Sequence, residues 1–328
     1  MTNPVRIVIV NSLGAALAHY TASLGKMMTD CGTAVSTMTL NEPSASGQSR
    51  VAWVMQYVRL LRAVARQEGS SVVILTWPVF GYWDFVIARA IFGDRPVRVV
   101  LHDPNPLVRA KGYGRIARTI ASLPIVASSA IVHSNAAADV VRKQSTLANM
   151  TQLPLPMLPP RRPEPGQSDK PIIRVLGQYK ADRDIESMAR IAAEGPRGWR
   201  YEVVGRRWPA VAGWQVSDRF VEEEEFETLI KGSDVILIPY TRFFQSDVAI
   251  RSLEMGTPVV GPRSSSLADV LGSSSNWLVD GESWTQAVEA AIRTDPQEIY
   301  RVASSLYNNV LKQWRAWLGF RETGEDSV

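Results

Sequence analysis

The chain has 328 residues, 45% of them hydrophobic and 21% charged, and a formal net charge of +4. That length suits two domains of ordinary size, and that balance excludes a disordered or fibrous protein. No apolar run reaches the roughly 18 residues of a spanning helix, and one cysteine, Cys31, excludes an internal disulfide framework.

The small excess of base favours an anionic partner: a phosphate, a nucleotide or an acidic lipid surface. The sequence has no zinc-finger spacing, basic zipper region or aromatic RNA-binding motif, so nucleic acid is not expected. The opening run MTNPVRIVIV reads as a strand and lacks the longer apolar core of a signal peptide. With a lone cysteine fitting a reducing compartment, the expectation is a cytoplasmic protein.

In chain order, RIVIV (6–10), SVVIL (71–75), VRVVLH (97–102) and AIVHS (130–134) read as buried parallel strands, too apolar for one-sided exposure. Helical patterns separate them. The run 49–69 is one, with Gly69 as its expected stop. The Pro-rich run 153–170 can form neither a helix interior nor a central strand, and reads as a linker. Alternation restarts with IIRVLG (172–177), RYEVVG (200–205), DVILIP (234–239) and TPVVG (257–261). The tail 295–320 reads as a helix whose two tryptophans need a surface to pack on. The expected class is α/β, with two doubly wound domains facing each other across a cleft. The expected boundaries are 1–155 and 171–304, joined by a linker at 156–170, with the helix 305–320 packing back on the first domain.

Ligands of open parallel sheets bind at the carboxyl ends of strands. That rule selects the loops NSLGAALAHY, HDPNPLVR, GQYKADRD, GRRW and PYTRFFQSDV. In the last of these, Gln245-Ser246-Asp247 stands where a helix begins. Free first-turn N–H groups there suit an anion, and Ser246 can add a hydrogen bond; equally, Ser246 or Asp247 simply caps the helix. Gly14 lets backbone approach a ligand closely, while His19 reads as packed on its own helix. His102 and Asp103 end a buried strand. The histidine suits contact with a phosphate or acceptor, or a base role near neutrality, and the aspartate suits orienting it or acting as base. A hydrogen-bonded structural role is the other reading of His102, and His133 reads as structural. Asp182-Arg183-Asp184 has Asp-x-Asp form but sits before a helix, which favours capping. The three histidines are scattered and no carboxylates have ligand spacing, so neither metal nor cofactor is expected. Arg59, Arg62 and Arg66 share one helical face beside an apolar stripe, and 108–126, with Arg109 and Lys111, is also basic and apolar. Both suit an acceptor or an anionic membrane surface, or else a solvated face on a core-packed helix.

PYTRFFQSDVAIRSLEMGTPVVGP resembles the signature region of GT-B glycosyltransferases, family 4 in particular, in a branch with a QSGV turn, a helix and G-x-PVV. The match comprises Gln245, Ser246, Val248, Gly256, Pro258, Val259 and Val260. VLGQYKADRDIESMARIA resembles that family's Gly-to-Lys stretch, and IVHSNAAADVVRK its helix start. The resemblance implies a GT-B fold of two Rossmann-like domains, with the nucleotide-sugar donor held by the C-terminal one. Gly177 and Gly205 then line the donor, Lys180 and Arg183 hold its diphosphate, and the backbone near Phe220 borders base and ribose. The family's two-glutamate signature falls on Phe243 and Arg251 and is absent, and Asp247 replaces a glycine. Asp247 is expected either to accept hydrogen bonds from donor-sugar hydroxyls or to pair with Arg251 at i,i+4.

The resemblance implies a hexosyltransferase-type enzyme that moves a sugar from a UDP- or GDP-linked donor to a hydroxyl acceptor, including a lipid-linked saccharide, without metal. The expected setting is the cytoplasm, including the inner membrane face, and the expected role is polysaccharide biosynthesis. The alternatives are a non-catalytic partner protein with a degenerate site and a nucleotide-sugar epimerase.

Overall fold

The computed structural model describes residues 6–67, 71–106, 110–162, 170–281 and 283–319. Two compact units result. Unit 1 takes the chain up to Pro156 and again from Val310, and unit 2 runs from Met157 to Asn309.

In unit 1 the order is β1 (Arg6–Asn11), α1 (Ala18–Asp30), β2 (Ala34–Thr39), α2 (Pro43–Ser46), α3 (Arg50–Ala65), β3 (Ser71–Leu75), α4 (Trp83–Phe92), β4 (Val97–Val100), α5 (Arg115–Ala121), β5 (Ser129–Val132), α6 (Asn135–Gln144) and β6 (Asn149–Gln152). These strands form one parallel six-stranded sheet ordered β2-β1-β3-β4-β5-β6. Unit 2 contains β7 (Ile172–Leu176), α7 (Ile185–Glu194), β8 (Arg200–Val204), β9 (Gln215–Ser217), α8 (Glu223–Lys231), β10 (Val235–Leu237), α9 (Asp247–Glu254), β11 (Val259–Pro262), α10 (Leu267–Leu271), β12 (Leu278–Val279) and α11 (Trp284–Arg293). Its parallel six-stranded sheet is ordered β12-β11-β10-β7-β8-β9. A last helix, α12 (Pro296–Trp317), contributes residues to both units.

The central strands are the predominantly apolar ones. Ile7, Val8 and Ile9 of β1 and Val235, Ile236 and Leu237 of β10 have no exposed surface. Strand order turns back on itself between β1 and β3 in unit 1, and between β7 and β10 in unit 2. At such a switch point the loops after the two strands diverge to opposite faces and open a crevice at the carboxyl edge.

Local signals set the helix ends. Ser49, Ser134, Asp184 and Ser246 each cap a helix through the side chain, accepting the N–H of Ala52, Ala137, Ser187 and Ala249. β5, expected to run to Ser134, ends at Val132 because Ser134 turns to cap α6; β4 and β10 also end short of their expected runs, at Val100 and Leu237. The expected stop of α3 at Gly69 lies outside the described residues. After α9 the Gly-Thr-Pro corner is a Schellman turn. Gly256 takes φ +77°, its N–H donates to Leu253 O (3.2 Å), and Thr257 N–H donates to Ser252 O (2.8 Å). That closure satisfies the helix's last carbonyls and aims the chain into β11.

The linker forms neither helix nor strand over residues 153–162. In unit 2 it is held by Glu254, whose side chain accepts Leu158 N–H (2.6 Å) and whose carbonyl accepts Arg161 N–H (2.7 Å). The tail tryptophans find their surface. Trp314 is fully buried in unit 1, donates Nε1–H to Pro154 O at 3.1 Å, and stacks edge-on with Trp317 at 5.6 Å. Ile299 and Ala303, from the first half of α12, belong to the unit 2 core.

Candidate active site

The carboxyl edge of unit 2 is built from the loops after β7, β8 and β10. Gly177 follows β7 at φ +101°, and Gly205 follows β8 so closely that a Cβ there would lie 2.0 Å from Gly177 O. Only glycine allows these two backbones to touch. The contact is reinforced: Trp208 Nε1–H donates to Gly177 O (2.7 Å), Tyr179 N–H to Arg206 O (2.9 Å), and the Tyr179 and Trp208 rings meet at 5.4 Å.

The loops after β7 and β10, at the switch point, are stitched in turn. Arg183 lays its guanidinium 3.4 Å from the centre of the Tyr240 ring and donates Nη1–H to Asp182 Oδ1 at 2.8 Å. Asp184 N–H donates to Pro239 O (2.7 Å) and Thr241 N–H to Asp182 O (2.8 Å). The Arg183 side chain is only 7% exposed, which makes it the clamp between two loops. Its buried Nε has no hydrogen-bond partner among the described residues. Lys180, by contrast, stands exposed on the same loop. Arg206, Arg207 and Arg242 are further exposed cations on the three loops, and residue-by-residue reading did not single them out. Arg206 reaches over the ring of Phe220 at 5.1 Å, and that ring is 58% exposed in the loop after β9.

At the start of α9, Ser246 Oγ accepts Ala249 N–H at 3.3 Å, so the hydroxyl caps the helix. Gln245 and Val248 are half-buried on either side, and Asp247 is exposed in the first turn, where its charge favours the positive end of the helix. The ion pair expected between Asp247 and Arg251 is corrected. Arg251 is buried, lies 4.4 Å over the Phe226 ring, and donates to both carboxylate oxygens of Glu223 on α8, Nη2 at 2.5 Å and Nη1 at 3.3 Å. Packing against α8 outcompetes the i,i+4 alternative because the guanidinium finds there a ring and a bidentate partner together. The Asp-x-Asp run splits into a partner of Arg183 and the α7 cap, in which Asp184 also accepts Ser187 Oγ–H at 2.6 Å.

In unit 1, Gly14 is buried rather than open. A Cβ there would lie 2.1 Å from Asn41 Oδ1 and 2.6 Å from Thr39, so its smallness admits the end of β2. His102 is buried and bonds Thr76 O through Nε2 at 2.8 Å, which makes that nitrogen the donor and leaves Nδ1 as the basic one. Around it stand Tyr20 at 4.6 Å, a stacked Trp77 at 5.8 Å and His133 at 5.6 Å. Asp103 accepts Asn105 N–H at 3.2 Å, an Asx turn that shapes the loop beyond. His133 donates Nδ1–H to Leu153 O (2.9 Å) and accepts from Tyr20 Oη (2.8 Å). Burial first, then the neighbouring His102, pushes its pKa down to about 3. His19 lies on α1 with Nε2 3.4 Å from Ser23 Oγ.

Sequence reading missed Asp84, a fully buried carboxylate in the first turn of α4. It accepts Tyr57 Oη–H at 2.6 Å and Phe80 N–H. Burial pushes its pKa up to about 7 against the pull of those hydrogen bonds. The signal was available: a lone carboxylate in the first turn of WDFVIARAIF, a helix whose one other charged residue is Arg89 in its last turn. Arg59 and Arg62 are exposed on α3, Arg66 is exposed at its C-cap, and Lys111 is exposed; Arg109 lies outside the described residues. Among the described residues no group of three or more His, Cys, Asp or Glu side chains is placed to hold a metal ion, and no helix is long and apolar enough to cross a membrane.

This pair of doubly wound parallel sheets is the architecture of GT-B glycosyltransferases. Three solved structures show the likeness. Sucrose-phosphate synthase from Thermosynechococcus elongatus aligns over 96% of this chain and 98% of its own at 12% identity, TM-score 0.68. A UDP-forming trehalose-phosphate synthase from Burkholderia xenovorans aligns over 97% and 98% at 13% identity, TM-score 0.62. Anabaena HepE, solved in complex with UDP and glucose, aligns over 96% and 97% at 11% identity, TM-score 0.60. No protein-family model and no curated protein sequence matches the chain.

Proposed function

We propose that the protein is a glycosyltransferase that moves a sugar from a nucleoside-diphosphate donor, UDP- or GDP-linked, to a hydroxyl acceptor such as a saccharide or lipid-linked saccharide. The observation that carries the reading is the β7/β10 switch point. Three loops are locked together there by Gly177, Gly205, Arg183 and Tyr240, while Lys180 and the first turn of α9 remain at the edge. A helix N-terminus with a nearby ammonium suits a diphosphate. The GT-B fold and the UDP complex of HepE support the choice of ligand.

In this reading Lys180 neutralises the diphosphate, and Arg183 is a positioning residue that holds the loop. Gln245, Ser246 and Val248 form the first-turn wall, and Phe220 borders the base. Asp247 accepts from donor-sugar hydroxyls. In transfer the acceptor oxygen bonds the anomeric carbon as the bond to the β-phosphate oxygen breaks. The pair of electrons leaves with the nucleoside diphosphate, and the hydroxyl proton passes to a general base. Charge developing on the leaving group is offset by Lys180 and backbone N–H groups, without metal.

A second reading, a binding protein without turnover, is favoured by one observation: Phe243 and Arg251 stand where family 4 enzymes carry glutamates, and Arg251 is committed to Glu223. Release of nucleoside diphosphate from a panel of UDP- and GDP-sugars, with saccharide acceptors, decides between them. Turnover lost in Lys180→Ala and Asp247→Ala supports transfer, and donor binding with no release supports the second reading.

A further inference from the structure

We propose that the α5 side of unit 1 is a docking surface for an anionic bilayer, with the cavity between α4 and the starts of β4 and β5 seating a lipid phosphate. This rests on unit 1 alone and is independent of the donor site. The cavity has a volume of about 240 Å³, below the roughly 300 Å³ at which pockets begin to hold drug-sized ligands. It is lined by Arg89, Arg95, Arg98 and Ser129. Arg89 is committed to Asp94 at the mouth, and Arg95 to Ser71 and Val64 O. Arg98 is different. It is half-buried, its hydrogen bond to Val97 O is long at 3.4 Å, and no carboxylate pairs with it among the described residues. A partly desolvated guanidinium without an anion is costly, and phosphate oxygens match its fork.

Beside the cavity the surface is apolar and basic together. Val126 and Ala127 form one wall, and the segment leading to them exposes Ile116 (73%), Leu123 (45%) and Ile125 (76%). Ile116 and Ile120 are spaced i, i+4 on α5, with Ala117 and Ala121 buried, and Leu123 follows the helix in extended backbone. Single exposed aliphatics are ordinary; several together beside cations suit shallow insertion into the headgroup layer. From Ala110 to Ala127 the chain has no acidic residue, and Lys111 and Arg115 are exposed. The surface extends across the same helix layer, because α4 packs against both α5 and α3. There Val51 (70%) and Met55 (49%) continue into exposed Arg59, Arg62 and Arg66. Charge complementarity, with Arg98 lining a cavity that opens beside the apolar patch, specifies anionic lipid.

The test is sedimentation of the full chain with vesicles of phosphatidylcholine alone and of an equal mixture with phosphatidylglycerol. The expected result is sedimentation with the mixture only. Leu123→Ser/Ile125→Ser should lower the partition coefficient about tenfold, and Arg98→Gln about fivefold. Ile116→Ser, altering an exposed side chain alone, repeats the apolar arm should the double variant lose its fold. No sedimentation with either vesicle, equal sedimentation with both, or folded variants that partition like the wild type would each overturn the proposal.

Discussion

The buried Asp84 and His133 of unit 1 make opposite and measurable contributions to stability. Asp84 rises from 3.8 to about 7 on folding. Between those values the folded state holds more protons than the unfolded, so stability falls as pH rises, by about 1.4 kcal/mol per unit and about 4 kcal/mol in all. His133 falls from 6.5 to about 3. There the unfolded state holds more protons, so stability is lost as pH falls below 6.5, with a similar slope. In the wild type the two slopes cancel between about pH 4 and 6.5. Asp84→Asn removes one of them. Its amide leaves one donor facing Tyr57 or Phe80, a pH-independent loss of about 1–3 kcal/mol. Relative to wild type, however, the variant should gain about 1.4 kcal/mol per pH unit. Urea denaturation at pH 4.5, 5.5 and 6.5, followed by fluorescence of both proteins, reads the difference. A constant difference across that range would refute the reasoning, since it would mean that Asp84 does not carry its proton into the fold.

Other substitutions probe the remaining contacts. Gly205→Ala brings a Cβ to 2.0 Å from Gly177 O, so unit 2 should lose several kcal/mol, on the order of other backbone-strain losses, in thermal denaturation. Trp314→Ala empties a fully buried site and its bond to Pro154 O, and should cost about 3–5 kcal/mol by the same assay. Arg251→Met keeps the contact with Phe226 but frees Glu223; because Glu223 is 60% exposed, calorimetry should show a loss within about 1–2 kcal/mol, whereas Arg251→Ala should lose more.

Much of this fold was legible because burial on both faces writes itself as a continuous apolar run. The inner strands β1, β3, β5, β10 and β11 carry such runs, and β4, β7 and β8 carry them interrupted by one charged residue each, Arg98, Arg174 and Glu202. The four edge strands do not: β2 reads AVSTMT, β6 NMTQ, β9 QVS and β12 only LV. An edge strand packs on one side or is too short to show a period, so composition alone does not separate it from a loop. Site residues divide the same way. Gly177, Gly205 and Lys180 announced themselves by following a strand, and Ser246 by preceding a helix. What Arg183 and Arg251 touch could not be read, because Tyr240 and Glu223 come to them through tertiary packing across sequence gaps of 57 and 28 residues.

The central claim is that the β7/β10 edge of unit 2 binds a nucleoside diphosphate. The direct measurement is a thermal-shift panel of UDP, GDP, ADP and dTDP on the wild type and Lys180→Ala. At a hundredfold excess over Kd a ligand stabilises the native state by about 2.7 kcal/mol, or about 5–10 °C for a unit of this size. The account predicts that shift with UDP or GDP and its collapse in Lys180→Ala. A flat panel, or an undiminished shift in the variant, would contradict it.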